Sequence, residues 1–148
     1  LVGVYEHWRA KGAKQNETQF SDGTLRLFGL LWALQEGDGP LLLEEPELSL
    51  HTAVVRRLPG MIYRIQRAQK KALRQVFIST HSVDLLSDPG IGGEEILLLS
   101  PSAEGTEVRV ASEVSEIRVL LEAGMTPAEA VIPHTEPARV EQLRMFNL

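Results

Sequence analysis

The 148-residue chain contains no cysteine, which excludes disulfide staples and thiolate metal sites and fits a reducing, cytoplasmic setting. Aromatic residues make up only 5% of it, so aliphatic side chains must fill the interior. No apolar run approaches the roughly 20 residues that a bilayer-crossing helix needs, and no membrane association is expected. A net charge of −5 excludes a generally basic nucleic-acid binder and confines any DNA contact to a local patch. One such patch is present. No Asp or Glu occurs between Leu48 and Val83, yet seven of the 15 basic residues lie there: Arg56, Arg57, Arg64, Arg67, Lys70, Lys71 and Arg74. On a helix such a stripe is most often a solvated face, and it can also bind DNA phosphates through Arg57, Arg64, Arg67, Lys71 and Arg74.

The length suits one domain, 1–148, with an apolar content that can build a real core. What is present concentrates in three segments. Leu41-Leu42-Leu43-Glu44-Glu45-Pro46-Glu47 reads as a strand buried on both faces, as in a parallel sheet covered by helices, and it stops at Pro46. Side chains at the C-terminal end of such a strand enter the crevice where α/β proteins bind ligands. Two carboxylates there require a cation, a proton or a polarised water. Upstream, Phe20-Ser21-Asp22-Gly23-Thr24-Leu25-Arg26 leads into an apolar helix over 24–35, with Ser21 or Asp22 as its N-cap. The dipole of that helix favours an anion at its start. Downstream, Val76-Phe77-Ile78-Ser79-Thr80-His81-Ser82 is a second short strand, joined to the first by a helical segment, which is the βαβ layout of a parallel pair.

In this order the three segments resemble the second half of an ABC-type ATPase head, of the branch that includes RecF-like, SMC-like and OLD-like ATPases. Residues 20–26 are similar to the signature motif, 41–45 to Walker B plus the catalytic glutamate, 48–51 to the D-loop, and His81 to the switch histidine. The resemblance implies an α/β fold, a partial P-loop NTPase with a mostly parallel sheet flanked by helices, acting on ATP with Mg²⁺. It implies Glu45 as general base or water-orienting residue, Glu44 as Mg²⁺ holder and His81 as a γ-phosphate sensor. Ser21 and Gly23 are implied to bind the ATP of a second protomer, and Ser49 and His51 to cross the homodimer interface. Glu44 stands where the family usually has Asp. Asp22 and Thr24 replace the commonest signature residues, which favours the RecF/OLD-like side over membrane transporters.

No Gly-x-x-x-x-Gly-Lys-Ser/Thr occurs, so the phosphate-cradling loop of the family is not among these residues. The expectation is the C-terminal part of a longer ATPase, inactive alone, in DNA repair, chromosome maintenance or phage defence. Two other classes compete: a non-hydrolysing dimerisation module that keeps the fold, and a metal-dependent nuclease using Glu44, Glu45, Glu47 and His81. The second is weakened by the absence of any Asp after Ser100. Glu47 is expected to start the following helix, although contact with a neighbouring subunit is the alternative.

Elsewhere, residues 1–8 suit a strand or helix, and 9–17 a polar loop. Residues 52–74 carry one helical pattern, with Val55, Leu58, Ile62, Ile65 and Ala72 near one face and a break expected at Pro59-Gly60. Ser82 caps a short helix through Leu86. Residues 95–100 and 106–111 suit strands, 113–123 a helix stopped by Gly124, and Thr126-Pro127-Ala128-Glu129 a helix start. From Ile132 an irregular tail is expected.

Overall fold

A computed structural model describes residues 2–5, 13–68 and 74–135. They fall in two compact units, Leu1–Val55 with Ile62–Thr80, and Arg56–Met61 with His81–Leu148.

In the first unit, β1 (Val2–Tyr5) pairs antiparallel with β2 (Ala13–Asn16), Val2 opposite Asn16. Of the expected polar loop 9–17, Ala13–Asn16 form a strand, because ladder bonds to β1 override weak local propensity, and Glu17 opens a 3-10 turn; residues 9–12 lie outside the described set. Next comes α1 (Asp22–Gln35), whose N-cap Ser21 accepts from the Thr24 amide at 3.2 Å. Its end is set by Gly37 at φ 81°, a left-handed position that suits glycine. Arg74 also holds this end. Its guanidinium donates to the carbonyls of Ala33, at 2.7 Å, of Glu36 and of Gly39. A cation there answers both the unpaired carbonyls and the negative dipole end.

The apolar sequence of α1 suggests burial on most sides. Only Leu30 and Leu34 are buried, one turn apart on a single stripe, while Phe28 is exposed and Trp32 is 70% exposed. Phe28 packs edge-on against Phe20 at 5.8 Å between ring centroids.

The site is carried by β3 (Leu41–Glu44) and β4 (Val76–Ser79), which pair in parallel with Leu41 opposite Val76 and Glu44 opposite Ser79. The expected burial on both faces is corrected here: Leu41 and Leu43 are half-buried, but Leu42 is 74% exposed. The described residues cover one face of the pair, so the strand alternates with period two instead of burying every leucine.

Between these strands run α2 (Thr52–Val55) and α3 (Leu58–Ala68). The break falls at Arg56-Arg57, not at Pro59-Gly60. Pro59 is the second residue of α3, within the first turn, where its missing N–H has no helical partner to lose. Val55, Leu58 and Ile62 are buried, as the apolar spacing predicts. Ala72 and Lys71 lie outside the described residues.

In the second unit, Ser82 caps α4 (Val83–Leu86) by accepting from Leu85 N at 3.3 Å. Arg56 pairs with Asp84 at 2.7 Å. The hairpin of β5 (Leu97–Ser102) and β6 (Gly105–Val110) is antiparallel and closes with Ser102 opposite Gly105. Then α5 (Ser115–Glu122) and α6 (Pro127–Val131) follow, the latter with Thr126 and Glu129 in a reciprocal capping box. Leu98, Ala111, Ile117, Ala130 and Val131 form the core. Of the expected irregular tail, Ile132–His134 forms a 3-10 turn; residues 136–148 lie outside the described set.

Candidate functional site

The parallel pair delivers its carboxylates at one end. Glu44 is the last residue of β3 and lies exposed, lining with Arg26, Leu43 and Pro46 a cleft of about 180 Å³. Pairing continues one step further, since the Glu45 amide donates to the Ser79 carbonyl at 2.9 Å. Glu45 then turns sharply, with φ at 42°. A non-glycine residue in this region costs roughly 1–2 kcal/mol, and such strain is concentrated at functional loops.

Two tight turns follow. Leu48 N donates to Glu45 O at 3.1 Å, and Leu50 N to Glu47 O at 3.0 Å. Pro46 takes the second position of the first turn, which its fixed φ suits. Ser49 takes the third position of the second at φ 65°, where a type II turn demands a left-handed residue. Hydrogen-bonded turns on either side hold two strained residues within five positions.

Glu47 differs from expectation. It does not start a helix, since α2 begins at Thr52. The residue is only 9% exposed, and Oε1 accepts a hydrogen bond from Thr80 Oγ1. The Oε2 atom is buried and accepts no hydrogen bond among the described residues. A helix start would have left this carboxylate at the surface. The turn at Pro46 instead points it at the end of β4.

The signature-like segment meets the same loop. A Cβ built on Gly23 would collide with the carbonyl oxygen of Ser49, so only glycine permits the approach of α1's first turn to the D-loop-like turn. Ser21 Oγ and Thr24 Oγ1 share a hydrogen bond at 2.8 Å. The first amides of the 14-residue α1 have no intrahelical acceptor, and the dipole adds about half a positive charge there. Thus Ser21, Gly23, Ser49, Glu44 and Glu45 all belong to the first unit.

His51 is exposed and works locally, its Nδ1 accepting from the Ala53 amide at 3.1 Å at the start of α2. His81 is exposed, follows Thr80 directly and belongs to the second unit. Of the basic stripe, Arg57, Arg64 and Arg67 are exposed, with the Arg67 guanidinium 5.3 Å from the Tyr63 ring centroid. Arg74 is turned onto α1's carbonyls, and Lys71 lies outside the described residues.

Sequence reasoning missed the Glu47–Thr80 contact and the capping role of Arg74. The strand register carries a signal for the first: with Glu44 opposite Ser79, Thr80 lies one step beyond the pair. Nothing local announces the second, because 35 to 41 residues separate Arg74 from its acceptors.

The family resemblance implies Mg²⁺. Among the described residues no group of three or more His, Asp or Glu side chains forms a metal cage. A single accessible carboxylate, Glu44, fits the way Mg²⁺ is commonly bound, by one or two carboxylates together with nucleotide phosphates and water.

A family model described as "AAA domain, putative AbiEii toxin, Type IV TA system" matches residues 2–88. No curated protein matches the chain. No helix among the described residues is long and apolar enough to cross a membrane.

Proposed function

Because the chain belongs to this AAA-domain family, we propose that it is part of an ATPase head that hydrolyses ATP and uses the nucleotide to hold two heads together. The observation that carries this reading is the delivery of Glu44 and Glu45 by β3, with Glu45 in a strained left-handed conformation. Glu45 accepts a hydrogen bond from a water and orients it in line with the γ-phosphorus, since phosphoryl transfer depends on positioning and electrostatics. Glu44 would hold Mg²⁺, which would supply charge neutralisation at the phosphate oxygens. The water attacks the γ-phosphorus, the bond to the bridging β–γ oxygen breaks, and ADP and phosphate leave. The proton of the water passes to the Glu45 carboxylate or to phosphate oxygen.

Ser21 and the first amides of α1, with Gly23 leaving the backbone open, serve the γ-phosphate of ATP on a second protomer. Ser49 and His51 lie on the loop that faces that protomer, and His81 senses the γ-phosphate. The phosphate-cradling loop comes from polypeptide other than these residues. DNA repair, chromosome maintenance and phage defence are the processes that the RecF/SMC/OLD-like resemblance implies for such a switch.

The test is phosphate release by the full-length protein with ATP and Mg²⁺, together with its oligomeric state by analytical ultracentrifugation. Glu45→Gln is expected to lower turnover by about 100-fold or more while ATP still drives dimer formation. Turnover unchanged in Glu45→Gln removes Glu45 from this role, and a wild-type protein that neither turns over ATP nor dimerises with it overturns the reading.

A further inference from the structure

Glu47 is the most deeply withdrawn charged side chain among the described residues, and nothing in the catalytic scheme uses it. Burying a carboxylate with only one oxygen hydrogen-bonded is unfavourable. The retained contact is specific: Oε1 takes the Thr80 hydroxyl. Thr80 follows β4 directly and leads the chain into His81. Glu47 sits midway between the two left-handed residues, Glu45 and Ser49. The segment 45–49 is therefore fixed at three points. Its start is bonded to Ser79 O through Glu45 N, its middle to Thr80 through Glu47, and its end lies against Gly23 through the Ser49 carbonyl.

Of these three attachments, the middle one is made by a side chain. We infer that Glu47 is a positioning residue: through Thr80 it clamps the turn that carries Glu45 onto the end of β4, holding the left-handed Glu45 backbone and with it the direction in which the carboxylate leaves the strand. The inference rests on the ATPase reading above and deepens it. Thr80 is the second half of the device, directly before His81. A strained backbone persists only where its surroundings over-determine it. The Glu47–Thr80 contact supplies part of that determination.

The roles of charge and of clamp can be separated. Glu47→Gln keeps the oxygen that accepts from Thr80, whereas Thr80→Val removes the donor and nearly preserves shape. Thr80→Ser restores the donor. In the full-length protein, Thr80→Val and Glu47→Ala are each expected to lower kcat by about 10- to 100-fold, as small misplacements of a catalytic group do, with KM for ATP nearly unchanged. The double variant should fall no further than the worse single one, and Thr80→Ser and Glu47→Gln should retain most of the turnover. A Thr80→Val enzyme with wild-type kcat, or losses that multiply in the double variant, overturns the clamp.

A second measurement needs no turnover. Amide exchange at Glu45 and Leu48 in the nucleotide-free protein should quicken by about tenfold in Thr80→Val, as local opening becomes easier. Exchange unchanged at both amides overturns the clamp even if the protein proves not to hydrolyse ATP. Quickened exchange in Thr80→Val, together with a wild-type protein that does not turn over ATP, would instead preserve the clamp and sink the ATPase reading alone.

Discussion

Gly23 stands so close to the carbonyl oxygen of Ser49 that no Cβ fits between them. One glycine thereby joins the first turn of α1 to the turn after β3, two segments 26 positions apart in the chain. Ser49 holds its own left-handed φ of 65° at this contact. Under the function proposed above, both segments would belong to the face that meets a second protomer.

Gly23→Ala is expected to destabilise the protein by about 1–3 kcal/mol, since the obstructing atom belongs to backbone and cannot swing away. Gly29 supplies the control within the same helix. Nothing lies within 4 Å of a Cβ at Gly29, so Gly29→Ala should stabilise by about 0.5–1 kcal/mol through lost backbone entropy. Urea unfolding of the two variants should give shifts of opposite sign.

Arg74 spans carbonyls of Ala33, Glu36 and Gly39 with one planar guanidinium. Arg74→Ala should cost about 1.5–3 kcal/mol, the usual range for hydrogen bonds to a charged group. Arg74→Lys should recover little, because a single ammonium cannot reproduce the fork. Equal stability of Arg74→Lys and wild type in urea unfolding would show that charge alone suffices.

In the second unit, Ile117 is fully buried within the core while Val119 is 60% exposed on the same helix. Ile117→Ala should lose about 2–4 kcal/mol by transfer and cavity terms. Val119→Ala should stay within about 0.5 kcal/mol. Thermal unfolding of the two variants measures the contrast.

The Thr126 amide and hydroxyl both donate to the Glu129 carboxylate at 2.8 Å and hold its pKa below the ordinary carboxylate value. Hydrogen bonding to the charged form is the cause, outweighing slight desolvation. The sign follows from linkage. A depressed folded-state pKa contributes stability that is fully present above the unfolded value and is lost as pH falls through the folded one. The thermal midpoint of Glu129→Gln should therefore lie below that of wild type at neutral pH. The gap should close in acid, below the ordinary carboxylate range, where both side chains are neutral.

Much of this was legible in the residues themselves. The leucine run, the proline stop and the following apolar segment with its connecting helices specify a parallel pair, because chain periodicity and turn chemistry are local properties. Ser21, Ser82 and Thr126 announce their helices for the same reason: a cap acts within three residues of itself. The positions of Glu44 and Glu45 at the end of a strand follow directly.

What the chain alone did not reveal depends on neighbours far along it. Leu42 and Trp32 are apolar by identity, yet their exposure is settled by which faces other segments cover. Pro59 looks like a helix breaker and serves as a helix start, since a break had already occurred two residues earlier. Glu47 and Arg74 are charged residues that a linear reading assigns to the surface. Tertiary structure placed one beside Thr80, where a single hydrogen bond replaces part of the lost water, and the other over the end of α1, where three carbonyls accept from it.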